Sequence, residues 1–531
     1  MIERVLLGDE ALAQAAVDAG LSCAYGYPGT PSTEVMEYLI SASGENGFKA
    51  MWCTNEKTAY EEALGASLAG KRALITMKHV GLNASADAFV NSALLSVNGG
   101  LVVCVADDPG MHSSQNEQDT RALAAFAKVP VFEPVSQQEV YDMTREAFEI
   151  SERLGVPVIL RMVTRIAHSR ASVRLSEKRP QNGLNKSSDK TGWMLLPATA
   201  KRNWARLLEK EKQFHSYSEE SKYNTLKLTG SKIGVITGGL GDNYFRENAG
   251  DLPQELSRLH IGFYPIPTDK VRRLYESVDE ILVIEEGYPV IEEQLRGLLG
   301  PGKPIHGKLD GTVVRTGELT PDNVRAALAL PPRPCGSVNA SDVIVPRPPA
   351  LCKGCPHADT FAAVKAALAE QPQSLVTSDI GCYSLGALPP HSAIETIVCM
   401  GASVGMAKGA AEAGLYPVVA TIGDSTFLHS GMTALIDCIQ NNTDMTLIIL
   451  DNSTVGMTGG QPTMIPSSRF EPLVRGLGVD PEHIRTIVPL PQQHDKNTAI
   501  IKEEIEHRGL SVILAVRECI ETAKRRARKT K

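Results

Sequence analysis

Pro417-Val418-Val419-Ala420-Thr421-Ile422-Gly423-Asp424-Ser425 is a short apolar run that stops on a glycine, a carboxylate and a hydroxyl. A second run, Thr446-Leu447-Ile448-Ile449-Leu450, stops on Asp451-Asn452-Ser453-Thr454, with a helix-like segment between the two. Short buried strands separated by helices imply a parallel sheet, and open parallel sheets bind ligands beyond the carboxyl ends of their strands. Mg²⁺ wants about six oxygens, usually one or two carboxylates completed by phosphate and water. Asp424 offers the carboxylate, Asn452 an amide oxygen and the backbone carbonyl of Thr454 a third donor. Gly423 lacks a side chain, so a diphosphate can approach the backbone there. An ordinary strand–turn–helix with a capping aspartate accounts for Gly-Asp-Ser alone. Asn452 at matched spacing and Gly459-Gly460-Gln461 just beyond favour a thiamine diphosphate–Mg²⁺ site. Its cofactor-binding residues would be Gly423, Asp424, Ser425, Asn452, Thr454 and Gly456.

Composition bounds the rest. A chain of 531 residues implies three or four domains. With 43% hydrophobic and 22% charged residues it falls in the soluble globular class. A net charge of −7 gives no electrostatic case for nucleic acid. The basic segment Lys524–Lys531 reads as a solvated tail. No apolar run is long enough to predict a membrane span, and the N-terminal residues lack the apolar core of a signal peptide, so a cytoplasmic location is expected. In that setting the ten cysteines are free thiols or metal ligands rather than disulfides.

The chain divides by pattern. Residues 1–175 alternate helix signals (Glu10–Ala19, Thr54–Ala69) with buried-strand signals (Ala73–Met77, Gly100–Ala106, Val156–Leu160). Residues 176–228 are polar and read as a linker or surface excursion. Residues 229–332 form a second α/β unit, with strands at Lys232–Thr237 and Glu280–Ile284. Residues 333–349 are Pro- and Ser-rich, a second linker. Residues 350–531 form the third α/β unit, which carries the Mg²⁺ motif. The predicted fold class is α/β, with several doubly wound parallel-sheet domains.

Cys352-x-x-Cys355 is followed by Cys382 and, much later, by Cys519. Such a pair binds zinc, exchanges disulfides or ligates iron–sulfur. The two-one-one spacing suits a 4Fe–4S cluster held by four thiolates, while a zinc site or plain buried thiols stay open. Cys399 and Cys438 lie in apolar segments and read as core; Cys23, Cys53, Cys104 and Cys335 show no grouping.

Four segments together carry a family resemblance. They are Tyr27-Pro28-Gly29-Thr30-Pro31-Ser32, Ser114-Gln115-Asn116-Glu117-Gln118-Asp119-Thr120-Arg121, Cys352-Lys353-Gly354-Cys355-Pro356-His357 and Gly423-Asp424-Ser425-Thr426-Phe427-Leu428-His429-Ser430-Gly431. In this order the chain resembles the alpha subunits of indolepyruvate:ferredoxin oxidoreductases, within the wider 2-oxo acid:ferredoxin oxidoreductase family. The resemblance runs from residue 1 to about residue 525. It implies a pyrimidine-binding domain at 1–175, a transketolase C-terminal-like domain at 229–332 and a diphosphate-binding domain at 350–531. The implied activity is oxidative decarboxylation of an aryl 2-oxo acid to the acyl-CoA, with electrons passing through a 4Fe–4S cluster to ferredoxin.

Residue roles follow from the same resemblance. Glu56 matches the catalytic glutamate that sits beside the aminopyrimidine and works by acid–base chemistry through the cofactor. By residue physics alone, a glutamate opening a helix is accounted for by the helix dipole. Glu61 and Glu62 belong to the solvent side of that helix. Thr30, in a proline-stiffened loop, would hydrogen-bond the 2-oxo acid. Lys78 and His79, at a strand end, are candidates for a carboxylate, with Arg121 and His429 behind them. Cys352, Cys355, Cys382 and Cys519 match the positions that hold the cluster nearest the thiamine ring. Implied partners are the 2-oxo acid, coenzyme A and a smaller beta subunit of the gamma-domain type, in a homodimer or an α₂β₂ assembly. The family's larger alpha subunits end in a ferredoxin-like domain, whereas this chain stops soon after Cys519, so electrons would leave to a separate ferredoxin or another acceptor. A non-oxidative 2-oxo acid decarboxylase or carboligase would share Glu56, Asp424 and Asn452 without needing the four cysteines. A subunit that binds the cofactor without turnover is a third reading.

Overall fold

Three strands that are buried at every position, Ala73–Lys78, Leu101–Asp107 and Val158–Val163, form the heart of a seven-stranded sheet. Covered on both faces, they read as unbroken apolar runs rather than alternating ones. The computed structural model describes residues 2–299, 302–333 and 349–529, in two compact units, Met1–Ser337 and Val338–Lys531.

The large sheet of the first unit runs Phe263–Tyr264, Val131–Phe132, Val158–Val163, Leu101–Asp107, Ala73–Lys78, Cys23–Gly26, Lys49–Trp52. All its pairings are parallel except that of Phe263–Tyr264 with Val131–Phe132. A second sheet runs Ile305–His306, Glu280–Ile284, Ile233–Gly238, Ser257–Ile261, Asn224–Lys227, antiparallel only at the last strand. Gly262 alone separates Ser257–Ile261 from Phe263–Tyr264, so one continuous stretch serves both sheets. Residues 1–175 and 229–332 therefore share one compact unit and are stitched together through a strand. Outside these sheets, Ile2–Leu7 pairs antiparallel with Arg170–Leu175.

The excursion 176–228 is more structured than its composition suggests. It carries the 24-residue helix Pro197–Glu220 and the edge strand Asn224–Lys227. Only Asn203, Leu207, Phe214 and Ser218 of the helix are buried. That spacing is one narrow stripe on a polar helix, too sparse to register as an amphipathic pattern. Residues 334–348 of the second linker, including Cys335, lie outside the described residues.

The sheet of the second unit is wholly parallel, in the order Leu375–Thr377, Val418–Gly423, Met445–Asp451, Leu510–Val516, Ile484–Ile487. Alternate residues feed opposite faces. Ala420, Ile422, Leu447, Ile449, Val512 and Leu514 join one apolar cluster. Val419, Ile448, Leu450, Ile513 and Ala515 join another. Helices cover both faces, as a doubly wound sheet requires. Among the described residues no helix is long and apolar enough to cross a membrane.

Candidate functional site

Strand register builds the first cluster. Gly423 pairs with Leu450 in the parallel ladder, so the next residues along, Asp424 and Asp451, leave the sheet side by side. Both are almost dry, at 3% and 2% exposure. Asp424 accepts hydrogen bonds from the Ser425 amide at 2.8 Å and the Thr463 hydroxyl at 2.6 Å. Burial, with the Asp451 carboxylate adding to it, still pushes the Asp424 carboxyl well above the usual carboxylate range. Asp451 accepts from the Ser453 amide through Oδ1 at 3.0 Å, while its buried Oδ2 has no hydrogen-bond partner. Two abutting carboxyls with an unsatisfied oxygen, at the carboxyl ends of parallel strands, form a donor set that a hard cation satisfies.

Asn452 and Thr454 complete the loop, and both are buried. Asn452 Oδ1 accepts from the Thr454 amide at 3.1 Å, and Asn452 Nδ2 meets His357 Nε2 at 3.0 Å. Burial drives His357 down to about 4, so its neutral ring accepts from Asn452 and fixes which way the amide faces. The Thr454 hydroxyl donates to the Gln461 carbonyl at 2.9 Å, anchoring the short antiparallel pair Thr454–Val455 with Gln461–Pro462. Ser425 is buried beside Asp424. The reason for Gly423 differs from the expected one: a Cβ there would lie 2.5 Å from the Tyr383 ring. Packing against Tyr383 thus requires the glycine before any ligand does. Asp451, His357 and Tyr383 were not singled out from sequence. Asp451 and His357 lay within recognised motifs without being picked out of them; Tyr383 arrives through long-range packing.

Cys352, Cys355, Cys382 and Cys519 lie near enough beside this loop to influence one another's thiols. Gly354, at φ +80°, turns the chain so that the Cys355 amide donates to the Cys352 carbonyl at 3.0 Å. The Cys519 amide donates to the Asn452 carbonyl at 3.0 Å. A Cβ on Gly456 would lie 3.0 Å from Cys382 Sγ. Burial, reinforced by the nearby thiols of Cys355, Cys519 and Cys352, pushes Cys382 up to about 12. Burial raises Cys355 too, with Cys352 and Cys519 contributing. Cys352 is exposed and Cys355 buried, so the group opens to solvent on one side. Cys438 is buried as expected, but Cys399 is exposed and is not core.

A second cluster lies in the first unit. Asn55 caps the helix Glu56–Leu68 by accepting from the Thr58 amide at 2.8 Å. That fixes Glu56 at the first helical position, where it is only 6% exposed. A Cβ on Gly81 would lie 2.7 Å from both Cγ and Oε1 of Glu56, so the carboxyl rests directly on that glycine. Gly81 belongs to the helix His79–Ala84, which follows the strand Ala73–Lys78. Glu61 and Glu62 face solvent.

Lys78 and His79 are buried rather than exposed loop residues. Lys78 Nζ donates to the Ser113 carbonyl at 2.8 Å and lies 3.8 Å from Asp108 Oδ2. Burial lowers Lys78 to about 8 against the pull of Asp108, and lowers His79 to about 4 with help from Lys78. The partly buried Thr30 is tied to the same group, its carbonyl accepting from the Ser113 hydroxyl at 3.3 Å. Arg121 is not available for a ligand. It is buried and spent on Asp119 at 2.6 Å, Glu285 at 3.0 Å and the Glu286 carbonyl at 2.7 Å. His429 is partly buried on a π-helical turn, with Nδ1 at 2.6 Å from Ser430 Oγ.

Two family models match the chain. The one described as "Pyruvate flavodoxin/ferredoxin oxidoreductase, thiamine diP-bdg" covers residues 14–196, and "Thiamine pyrophosphate enzyme, C-terminal TPP binding domain" covers residues 379–514. The chain is 37% identical to the indolepyruvate oxidoreductase subunit IorA of Archaeoglobus fulgidus, over 97% of this chain and 86% of that protein. It is 36% identical to the subunits of the same name from Methanothermobacter thermautotrophicus and Pyrococcus abyssi, with the same coverage of both chains. The 2-oxoglutarate synthase subunit KorA of Archaeoglobus fulgidus is 24% identical over 53% of the chain and 87% of its own length.

Proposed function

The chain belongs to the family of indolepyruvate oxidoreductase subunits, thiamine diphosphate-dependent enzymes acting on 2-oxo acids, and from that premise we propose the specific reaction it carries out. The reaction is oxidative decarboxylation of an aryl 2-oxo acid of the indolepyruvate kind. The 2-oxo acid, coenzyme A and two oxidised ferredoxins give the acyl-CoA, CO₂, a proton and two reduced ferredoxins. Electrons travel through one 4Fe–4S cluster on Cys352, Cys355, Cys382 and Cys519. A non-oxidative decarboxylase is not favoured, because the relatives that match 97% of the chain are oxidoreductase subunits.

The gathering of four cysteine thiols beside the Asn452–Gly456 loop is the observation that carries this reading. Thiamine diphosphate, when bound, supplies a nucleophilic carbon and an electron sink for the decarboxylation. The chain supplies the rest. Asp424, Asn452 Oδ1 and the Thr454 carbonyl would hold Mg²⁺, with the unpartnered Asp451 oxygen adding negative charge beside it. Gly423, Ser425 and Gly456 would line the diphosphate. Glu56 would hold the proton that the aminopyrimidine ring requires. Thr30 would orient the 2-oxo acid, and the Lys78 cation would attract its carboxylate. Residues 1–175 and 350–531 would be the pyrimidine- and diphosphate-binding domains, with 229–332 of the transketolase C-terminal type between them in sequence. A smaller partner subunit and a ferredoxin complete the assembly.

Anaerobic purification followed by iron, sulfide and visible-spectrum analysis tests the proposal. About four irons per chain, with a broad absorption that bleaches on adding indolepyruvate and coenzyme A, is the expected result. A colourless, iron-free chain that still binds thiamine diphosphate would overturn the cluster and the redox reaction with it.

A further inference from the structure

The antiparallel pairing of Ile2–Leu7 with Arg170–Leu175 ends at Leu7 opposite Arg170. The next residues stay in contact, the Gly8 amide donating to the Ser169 carbonyl at 3.2 Å. A Cβ on Gly8 would collide with the Ile166 carbonyl. The glycine thus lets the short helix Thr164–His168 press against the start of the helix Gly8–Asp18. One step further along, Asp9 and His168 approach each other. Glu34, in the first turn of the helix Thr33–Asn46, closes the group. One ligand atom from each of Asp9, Glu34 and His168 lies within 4.8 Å of the other two.

Asp9 stands in the first turn of its helix, where the dipole favours a carboxylate, but that does not require it to be dry and unpartnered. It is fully buried, and neither carboxyl oxygen has a hydrogen-bond partner. Capping of its helix falls to the neighbour: Glu10 accepts from the Leu7 amide at 2.8 Å. The facing Glu34 Oε2 also lacks a hydrogen bond and lies 3.5 Å from His168 Nε2. As carboxylates, Asp9 and Glu34 have no donor between them. Something positive must offset them: a proton, the His168 ring, which the Glu34 carboxylate holds above its usual range, or a metal cation. Glu34 and His168 are 38% and 34% exposed, which gives an ion a path in and leaves coordination positions for water.

We infer that Asp9, Glu34 and His168 form a binding site for a first-row divalent cation. Two carboxylates and one imidazole make a mixed oxygen–nitrogen set of the kind that zinc, manganese and iron(II) accept. It shares no residue with the Asp424–Asn452 loop or with the four cysteines. It braces two segments of the candidate site. The helix holding Glu34 continues directly from the Thr30 loop. The helix holding His168 also carries Thr164, whose hydroxyl donates at 2.9 Å to Asp108, the acid beside Lys78.

The probe is Zn²⁺, added by equilibrium dialysis to the full chain already loaded with thiamine diphosphate and Mg²⁺. Wild type, Asp9→Asn and His168→Ala are compared by metal analysis and by thermal unfolding. Zinc taken up by cysteines is common to all three and cancels. Wild type is expected to hold one zinc per chain more than either variant, or to hold it at least about tenfold more tightly. Zinc is expected to raise its melting temperature by more than it raises theirs. Equal zinc content and affinity in all three would overturn the site. A wild-type chain whose melting temperature zinc leaves unchanged, beside a more stable Asp9→Asn chain, would overturn it too, since that is the mark of a shared proton.

Discussion

Glu56 and Gly81 constrain one another. The carboxyl lies where a Cβ on residue 81 would go, 2.7 Å from Oε1. Gly81→Ala must therefore displace the carboxyl without changing any charge. Both Gly81→Ala and Glu56→Gln are expected to cut turnover by about 10²–10⁴-fold while thiamine diphosphate still binds, as read by steady-state rates and calorimetric titration. Turnover near the wild-type value in Glu56→Gln would remove Glu56 from the chemistry. Lys78 gives a second prediction. It titrates at about 8 in the folded chain and at about 10.4 when unfolded. Between those values the unfolded chain binds the extra proton, so the contribution of Lys78 to stability rises with pH. It is fully present above about 10.4 and is lost as pH falls through about 8. Urea unfolding across that window should show wild type gaining on Lys78→Met by roughly 2–3 kcal/mol; parallel curves would refute it. At this scale, the clustering of Asp424 and Asn452 was legible because each follows a strand inside a compact motif, whereas Glu56 stood out only through the family resemblance. His357 and the Asp9–Glu34–His168 group were not legible, because their partners are far away in sequence.

Between elements, the first unit is stitched by a buried ionic network. Arg161, within the strand Val158–Val163, bonds Asp107 at 2.6 Å and also meets Glu133 and Asp119. Arg121 joins Asp119 to Glu285, at the end of a strand in the second sheet. Removing one cation from such a group strands its carboxylates in a dry interior. Arg161→Met is accordingly expected to cost on the order of 3–5 kcal/mol, seen as a lower denaturant midpoint. A change below 1 kcal/mol, the scale of an exposed pair, would show that the network relaxes freely. The strands were legible where burial on both faces leaves an unbroken apolar run; Glu280–Ile284 falls where its pattern placed it. The helix Pro197–Glu220 was not, because four buried residues in one stripe leave the composition of a linker. The two-residue strands Val131–Phe132 and Phe263–Tyr264 are too short to carry any period.

At the scale of the molecule, each compact unit has apolar clusters of its own, among the described residues one in Met1–Ser337 and two in Val338–Lys531. The three α/β patterns seen in the sequence correspond to three sheets. What pattern could not convey is that the first two sheets share a strand-bearing stretch and fold as one body. The second unit keeps a feature with its own consequence. Gly456 faces Cys382 with no room for even a methyl group between them at ordinary contact distance. If a cluster sits on that sulfur, the Asn452–Gly456 backbone lies against its edge without an intervening side chain. Electron tunnelling weakens steeply with each added layer of insulating matter. A bulkier residue at 456 would then act as a spacer, slowing transfer even where cofactor and cluster both remained in place.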